Sequence, residues 1–434
     1  MDLINSEDEA KAAAAGFTLA LTVVAFVWRF RHIFGWITRC EIDLKDVSNE
    51  LVVSQSTNAE LRRTISARDN HIGDLNRQLD EKGQLISETS QQRTLIEQEL
   101  RDNQKSLIEA KEQLQGSQEM RHALTQNDDE LWTYHKAERP HGIEDLANQK
   151  CKIFVVANNK GGVAKSTLST CLAAYFSKVK NKKVLILDLD YQGSTSIIMT
   201  REAEMNWPGS GVLKEVLGTQ PEYERCIAMS CDLNRIMPGS RLITSGYDLP
   251  RFEYRLMLQW LFGEQKDDIR FRLAKFLASP AVKDQFNVVI IDTGPRLTTC
   301  SIAAMAAAHY LIVPTLLDRL SVEATAHFLS YARNILRNAG LNPYIELLGV
   351  IKTMVTGIKS EEEALAYLQE EVNVWAPGAH IFENEMRRSA GFSNHAGTNN
   401  AYLRDSVARS FIDPIGKEIN ARISLLPQKH RVRG

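Results

Sequence analysis

The sequence predicts an α/β protein whose C-terminal half forms a doubly wound, mostly parallel sheet, preceded by a transmembrane helix and a long α-helical coiled coil. Three features of the 434-residue chain predict this arrangement. An uncharged apolar run stands near the N-terminus, a heptad repeat follows it, and apolar strands then alternate with helical stretches. The first proline is Pro140, which indicates that two differently built halves meet near that residue.

The predicted domains follow from these features. They are a short N-terminal segment 1–11, a transmembrane helix with its flank 12–37, a coiled coil 41–127, a linker 128–150, a sheet domain 151–425 and a basic tail 426–434.

The composition of the chain argues against several classes of protein. A net charge of −2 argues against a polycation that coats nucleic acid. The six cysteines form no C-x-x-C pair, which argues against a disulfide scaffold, a zinc site or an iron–sulfur site.

The apolar run 12–28, AAAAGFTLALTVVAFVW, has no charged residue and approaches the length that crosses a bilayer. One alternative is a cleaved signal peptide, but that needs a basic leader, and acidic residues precede this run. A buried core helix is the other alternative. Arg29, Arg31 and Arg39 follow the run, so the positive-inside rule places the rest of the chain in the cytoplasm and the N-terminus outside.

A heptad repeat occupies residues 44–124. Nine of the twelve a positions counted from Leu44 are Leu or Ile, although half of the d positions are polar. A repeat of this length without proline favours a coiled coil, and Asn58 at an a position favours a parallel dimer in register. A single charged helix remains the alternative. Residues 128–150 break the repeat and are expected to form a linker, with Trp132 and Tyr134 packing on the domain that follows.

A phosphate-binding loop is predicted where the short strand 152–157 gives way to NNKGGVAKST at 158–167 and then to a helix. Backbone N–H groups of such a loop, together with the N-terminus of the helix, hold anionic phosphates. Lys165 would reach the β- and γ-phosphates, and Ser166 would bind Mg²⁺. The general pattern G-x-x-x-x-G-K-[ST] is not matched, because Asn159 and Ala164 stand at its two glycines.

The loop instead resembles the deviant form K-G-G-x-G-K-[ST] of the ParA/MinD family of ATPases. The residues that carry this resemblance, and that it implies bind ATP, are Lys160, Gly161, Gly162, Val163, Ala164, Lys165, Ser166 and Thr167. The resemblance implies that Lys160 crosses a dimer interface to the phosphates of the nucleotide bound by a partner copy. Ala164 departs from the pattern at a crowded turn where glycine is usual, and we expect weaker nucleotide binding.

Two later motifs appear in the family's order. KKVLILDLDYQGSTS at 182–196 resembles the D-x-D-P-Q-G switch, with Tyr191 in place of proline. The resemblance implies that Asp190 orients the attacking water and that Asp188 acts behind the metal. FNVVIIDTGP at 286–295 ends a second apolar strand at Asp292, the Walker B position that supports Mg²⁺ through water. A helix cap is the alternative role for such an acid at a strand end.

Three further segments resemble parts of the same family. HYLIVPTLLDRLSVEA at 309–324 carries Glu323, and ELLGVIKTM at 346–354 resembles the strand whose end reaches the adenine. The latter implies base contacts from Lys352, Thr353 and Met354, although hydrophobic core is the favoured role for Met354. IFENEMRRSAGFSNHAG resembles the segment near the base and the dimer edge. The role of residues 200–285 stays open between a partner surface and added core.

The resemblance implies a membrane-anchored ATPase that binds Mg-ATP, forms an ATP-dependent sandwich homodimer and hydrolyses ATP slowly, under the control of an unidentified activating protein. Its expected location is the bacterial inner membrane, crossed once by residues 12–37. Nonspecific DNA is a further possible ligand, although the basic tail with Lys429, Arg431 and Arg433 is better explained as an ordinary terminus. The alternatives are a coiled-coil membrane scaffold or defence component whose nucleotide site is regulatory, and a polysaccharide-type tyrosine kinase.

Overall fold

A computed structural model describes residues 128–426 except 208 and 376–379. In the N-terminal part it describes 14–22, 24–25, 47–48, 50–64, 66, 68, 96–108, 111, 115 and 118. The chain divides into two compact units, Met1–Lys111 and Glu112–Gly434. The described residues of the first unit are helical and exposed, which agrees with a helical heptad segment. Pairing of that segment with a second copy stays a prediction.

Of the predicted transmembrane segment 12–37, the structure describes residues 14–22 and 24–25, and the other positions lie outside the described residues. Among the residues that the structure does describe, there is no helix with the length and apolar character needed to cross a membrane. The basic tail from residue 427 onward also lies outside the described residues.

The second unit contains an eight-stranded sheet with the order β3-β4-β2-β5-β1-β6-β7-β8. The strands are β1 Lys152–Val156, β2 Val184–Asp188, β3 Cys231–Asp232, β4 Arg241–Ile243, β5 Val288–Asp292, β6 Tyr310–Leu316, β7 Glu346–Val355 and β8 Met386–Arg387. All neighbours pair in parallel except β3 and β4. The predicted parallel α/β fold is therefore confirmed.

Helices cover both faces of this sheet. In chain order they are α1 Asp128–Thr133, α2 Lys165–Lys178, α3 Ser194–Glu202, α4 Leu213–Val216, α5 Tyr223–Met229, α6 Leu249–Leu261, α7 Arg272–Ala278, α8 Pro280–Lys283, α9 Thr299–Ala307, α10 Arg319–Arg333, α11 Lys359–Trp375, α12 Ala390–Ser393, α13 Ala401–Arg404 and α14 Ser406–Leu425. Short 3₁₀ turns at Glu144–Asn148 and Ile269–Phe271 and a π turn at Asn334–Asn338 complete the set.

Strand β1 shows how the sheet acquires two cores. Ile153 and Val155 join one buried cluster, while Phe154 and Val156 join the cluster on the opposite face. Successive side chains of a strand point to opposite faces, so a continuous apolar run buries both sides. The loop after β1 and the aspartates that end β2 and β5 consequently lie together at the carboxyl edge of the sheet, where ligands bind in such folds.

Residues 200–285 supply an edge of the sheet and additional core, which resolves part of the open question. Phe271, Leu273 and Phe276 are fully buried in the same cluster as β1 and β5. Residues 128–150, which we call the arm, pack against this segment. Trp132 is 2% exposed, and its ring lies 6.2 Å from that of Trp260.

Candidate functional site

The loop between β1 and α2 has the backbone of a phosphate cradle. Gly162 has φ +77°, and Ala164, which immediately precedes α2, has φ +64° and ψ +29°. Both angles lie in the left-handed region, which glycine enters freely and alanine enters at a cost. The loop thus keeps the family's turn although a methyl group stands where glycine is usual. Helix α2 begins at Lys165 with its N-terminus facing the loop.

Lys165 is 7% exposed, and its amine donates to the carbonyl oxygen of Lys160 at 2.7 Å. Burial lowers the pKa of Lys165, while the nearby carboxylates of Asp292 and Asp190 raise it. The ammonium group of a lysine has three hydrogen-bond donors, and phosphate oxygens in the loop would accept hydrogen bonds from Lys165. Lys160 itself is half-buried, and its backbone N–H donates to the side chain of Asn158.

Three aspartates meet behind this loop. Asp188 and Asp292 are fully buried and face each other across paired strands β2 and β5. Burial, reinforced by Asp292, raises the pKa of Asp188 to about 8, and burial raises that of Asp292 to about 6. Asp190 is 8% exposed, and a Cβ placed on Gly294 would lie 3.4 Å from its carboxyl group. The structure therefore brings the predicted acids together.

Hydroxyl groups hold two of these acids. The side chains of Ser166, Ser169 and Thr195 bond to Asp292. Asp188 accepts hydrogen bonds from the backbone and hydroxyl of Ser196, both at 2.7 Å. Asp188 and Asp292 are therefore held by different hydroxyl groups, although they stand opposite each other on neighbouring strands.

Asn158 is a site residue that the sequence analysis missed. It is 1% exposed, and its amide donates to the carbonyl oxygen of Pro314 and to the hydroxyl of Thr325, both at 2.9 Å. The Thr353 hydroxyl likewise lies within hydrogen-bond distance of the carbonyl oxygens of Val163 and Thr315, at 3.2 and 3.0 Å. These bonds tie the loop to β6 and β7. No local pattern indicates the role of Asn158, because the two acceptors of its amide nitrogen are 156 and 167 residues away in sequence.

A cavity of about 990 Å³ adjoins the loop, of a size that suits a small ligand. Ala164 and Thr167 border it on one side, and Thr353 and Met354 border it on another. The favoured core role of Met354 is wrong. The side chain is 43% exposed because the backbone there takes φ +52° where the register between β7 and β8 shifts.

Lys352 is not among the residues that line this cavity. Its amine lies 3.1 Å from a carboxylate oxygen of Glu385 and 3.3 Å from the carbonyl oxygen of Glu383. A contact between Lys352 and a base stays a prediction. Glu323, by contrast, lies at the cavity and pairs with Arg319. Met386, Arg387 and Arg388 also line it, as the resemblance implies.

Trp207 is a second residue that the sequence did not single out for the site. Its ring covers Gly193, the last residue of the Asp190 turn, so closely that a Cβ there would lie 2.6 Å from the ring. Trp207 donates to the carbonyl oxygen of Ser245 at 3.1 Å and packs against Tyr247. The glycine of the switch motif is thus required both by its φ of +65° and by this contact.

The residues at the loop fit Mg-ATP. The loop N–H groups and Lys165 suit the phosphates, and Ser166 with Asp292 behind it suits Mg²⁺, which keeps waters and takes phosphate oxygens. Within the described part of the chain, no group of three or more histidine, cysteine or acidic side chains could hold a metal ion by itself.

The fold and this site define a P-loop nucleotide-binding protein, and comparison with known proteins identifies its family. A family model described as an AAA domain matches residues 151–347. An uncharacterized protein of Pseudomonas putida is 30% identical over 208 residues, which are 47% of this chain and 70% of that protein. The chromosome partitioning protein ParA of Caulobacter vibrioides is 29% identical over 223 residues, 50% of this chain and 74% of that protein. The chain belongs to the ParA/MinD-type P-loop ATPases.

A solved structure supports the fold. The complex of a Cyanothece McdA variant with ATP superposes with a TM-score of 0.51 at 22% identity. The match covers 64% of this chain and 97% of that one. The shared part corresponds in extent to the sheet domain.

Proposed function

We propose that this protein is a membrane-anchored ATPase switch that binds Mg-ATP, pairs two ATPase domains and hydrolyses ATP slowly to position or recruit a partner. The observation that carries the proposal is the meeting of Lys165, Ser166, Asp190 and Asp292 around a left-handed loop at one edge of the sheet. Family members retain these groups for ATP chemistry, whereas a nucleotide-binding scaffold would have no use for Asp190.

Each residue has a distinct part in the proposed mechanism. The loop N–H groups and Lys165 hold the phosphates, and Lys160 of a second copy neutralises the charge that develops on the transferred phosphoryl group. The Ser166 hydroxyl, with Asp292 behind it, would hold Mg²⁺, which would supply positive charge against the phosphates. Asp190 orients the attacking water, and Asp292 with Asp188 behind it fixes the position of the Ser166 side chain.

The N-terminal half gives the proposal its membrane link. The apolar run 12–28 would anchor the chain in a bacterial inner membrane, and the heptad segment would hold two ATPase domains at high effective concentration. Such tethering curtails diffusive release, so a local switch is favoured over a travelling gradient. An activating protein partner and nonspecific DNA are part of the proposal as regulators of turnover.

The test measures phosphate release and the yield of chemical cross-links between the two ATPase domains, for the full chain in mild detergent, with ATP or with ADP. We expect a high yield of cross-links and slow turnover in ATP alone, because a nucleotide drives pairing only if the two states bind it differently. Lys160→Ala should lose both, whereas Lys182→Ala, an exposed lysine away from the loop, should retain both. A parallel sample with added duplex DNA tests whether DNA accelerates the release of phosphate.

The opposite result is equally informative. Equal yields of cross-links between the two ATPase domains in every nucleotide state, with no phosphate released, would overturn the switch and favour the tethered scaffold. Turnover that persists in Lys160→Ala would leave an ATPase but exclude a lysine supplied across the dimer.

A further inference from the structure

Helix α6 reaches the catalytic loops from the segment 200–285. Glu253 on this helix is 7% exposed, and its carboxylate accepts a hydrogen bond from the backbone N–H of Cys300 at 2.8 Å. The Thr298 hydroxyl bonds to the same carboxylate. The first N–H groups of a helix have no partner within it and carry partial positive charge, so Glu253 caps helix α9 from another element.

Helix α9 follows directly on the loop 293–298, which leaves Asp292 and passes the catalytic groups. Gly294 in this loop abuts the Asp190 carboxyl group, and Pro295 lies beside Gly161 of the phosphate loop. The far end of the loop is tied to the helix, because the Ser301 hydroxyl donates to the carbonyl oxygen of Arg296 at 2.8 Å. Fixing the start of α9 therefore fixes the loop that contacts both Asp190 and the phosphate loop.

The same face of α6 holds the arm. Trp260 stands seven residues after Glu253, two helical turns along one face. Its ring packs on Trp132, and Arg270 lies over it at 4.8 Å. Arg270 also donates to the carbonyl oxygens of Trp132 and Lys136 in the arm. One rigid helix thus contacts the arm at one end and the start of α9 at the other.

We infer that Glu253 is a positioning residue for the catalytic loop 293–298, and that α6 makes its placement depend on whether the arm is docked at Trp260. This inference rests on the proposed ATPase function. Burial raises the pKa of Glu253, and the hydrogen bonds from Thr298 and Cys300 oppose that rise, which is the pattern of a carboxyl group retained at a structural cost for the bonds it makes.

The first experiment separates placement from binding in the full chain. Glu253→Ala leaves the Cys300 N–H unpaired and should lower kcat about tenfold, which corresponds to roughly 1.4 kcal/mol. Glu253→Gln keeps an acceptor oxygen and should restore kcat to within about threefold of the wild type, since it loses only the charge at the helix terminus. KM for ATP should stay unchanged, because the phosphate loop is intact. Arg255→Ala, on the exposed face of α6, is the matched control.

The second experiment tests the link to the arm. Trp132→Phe should lower kcat, and its combination with Glu253→Ala should lower it no further than the larger single effect, whereas independent sites at this separation are additive. Amide hydrogen exchange of residues 293–301 should quicken in Trp132→Phe and in Glu253→Ala without nucleotide. Additive effects, or exchange in Trp132→Phe equal to that of Arg255→Ala, would overturn the inference. Absence of turnover in the wild type with quickened exchange in both variants would instead count against the ATPase function alone.

Discussion

At the scale of single residues, Ala164 is an alanine at a backbone position whose left-handed angles favour glycine. Its left-handed φ of +64° is shared by Gly193 at the start of α3, where the family's glycine is kept. A left-handed alanine costs about 1–2 kcal/mol relative to the right-handed region. The loop accepts this cost because β1 and α2 fix both of its ends, and Asn158 and Thr353 fasten it from the side. The strain is therefore confined to one peptide of the phosphate cradle.

The substitution Ala164→Gly tests this strain. Glycine removes the strain of a left-handed backbone at this position. It also raises the conformational entropy of the unfolded chain, which lowers the free energy of unfolding by about 0.5–1 kcal/mol. We expect the free energy of unfolding to rise by up to about 1 kcal/mol. Ala173→Gly in the buried middle of α2 should lower it by about 1 kcal/mol or more. Chemical denaturation of both variants measures the contrast, and an equal loss in the two would show that Ala164 is unstrained.

At the scale of elements, two neighbouring arginines differ in what they hold. Arg270 is 1% exposed, pairs with Asp268 at 2.6 Å and donates to the arm. Arg272 is 3% exposed, pairs with Asp267 at 2.6 Å and donates to the carbonyl oxygen of Leu217. Both use the planar fork that lysine lacks. Of the two, Arg270 is the one that fastens the arm to the sheet domain.

The pair gives a matched test of how the arm docks. Arg270→Lys and Arg272→Lys should each lower the free energy of unfolding by about 1–3 kcal/mol, because buried acceptors lose their donors. Only Arg270→Lys should speed tryptic cleavage after Lys136 and Arg139, which lie in the arm. Mass spectrometry of the fragments gives the rates. Equal rates of cleavage in the two variants would mean that the aromatic contacts alone hold the arm.

The central strands could be predicted from sequence because their apolar runs end in motif residues. The expected strand 152–157 and the observed Lys152–Val156 differ by one residue, and Asp188 and Asp292 close their strands as expected. The contacts of Trp207, Glu253 and Arg270 could not be predicted. Each joins elements that are distant in sequence, and no periodicity in residues 200–285 indicates which side chain will meet a catalytic loop.

At the scale of the whole molecule, the sequence assigns anchoring and chemistry to different parts of the chain. The sheet domain contains the loop, the acids and the cavity, all within residues 151–425. The proposed membrane attachment depends on the apolar run 12–28 and on the arginines after it. Because the two properties depend on separate residues, each should be removable without loss of the other.

Deletion of residues 12–37 tests this separation. The full chain should remain in the membrane fraction after carbonate extraction, because about 17 uncharged residues resist transfer to water. The shortened chain should appear in the soluble fraction with its ATP turnover intact. Lys160→Ala, which alters only the site, should stay with the membrane.

The orientation of the chain has its own test. Protease added outside intact spheroplasts should spare the sheet domain, as the positive-inside rule requires. A deletion variant that still resists carbonate would place the anchor elsewhere, and digestion of the sheet domain from outside would reverse the proposed orientation.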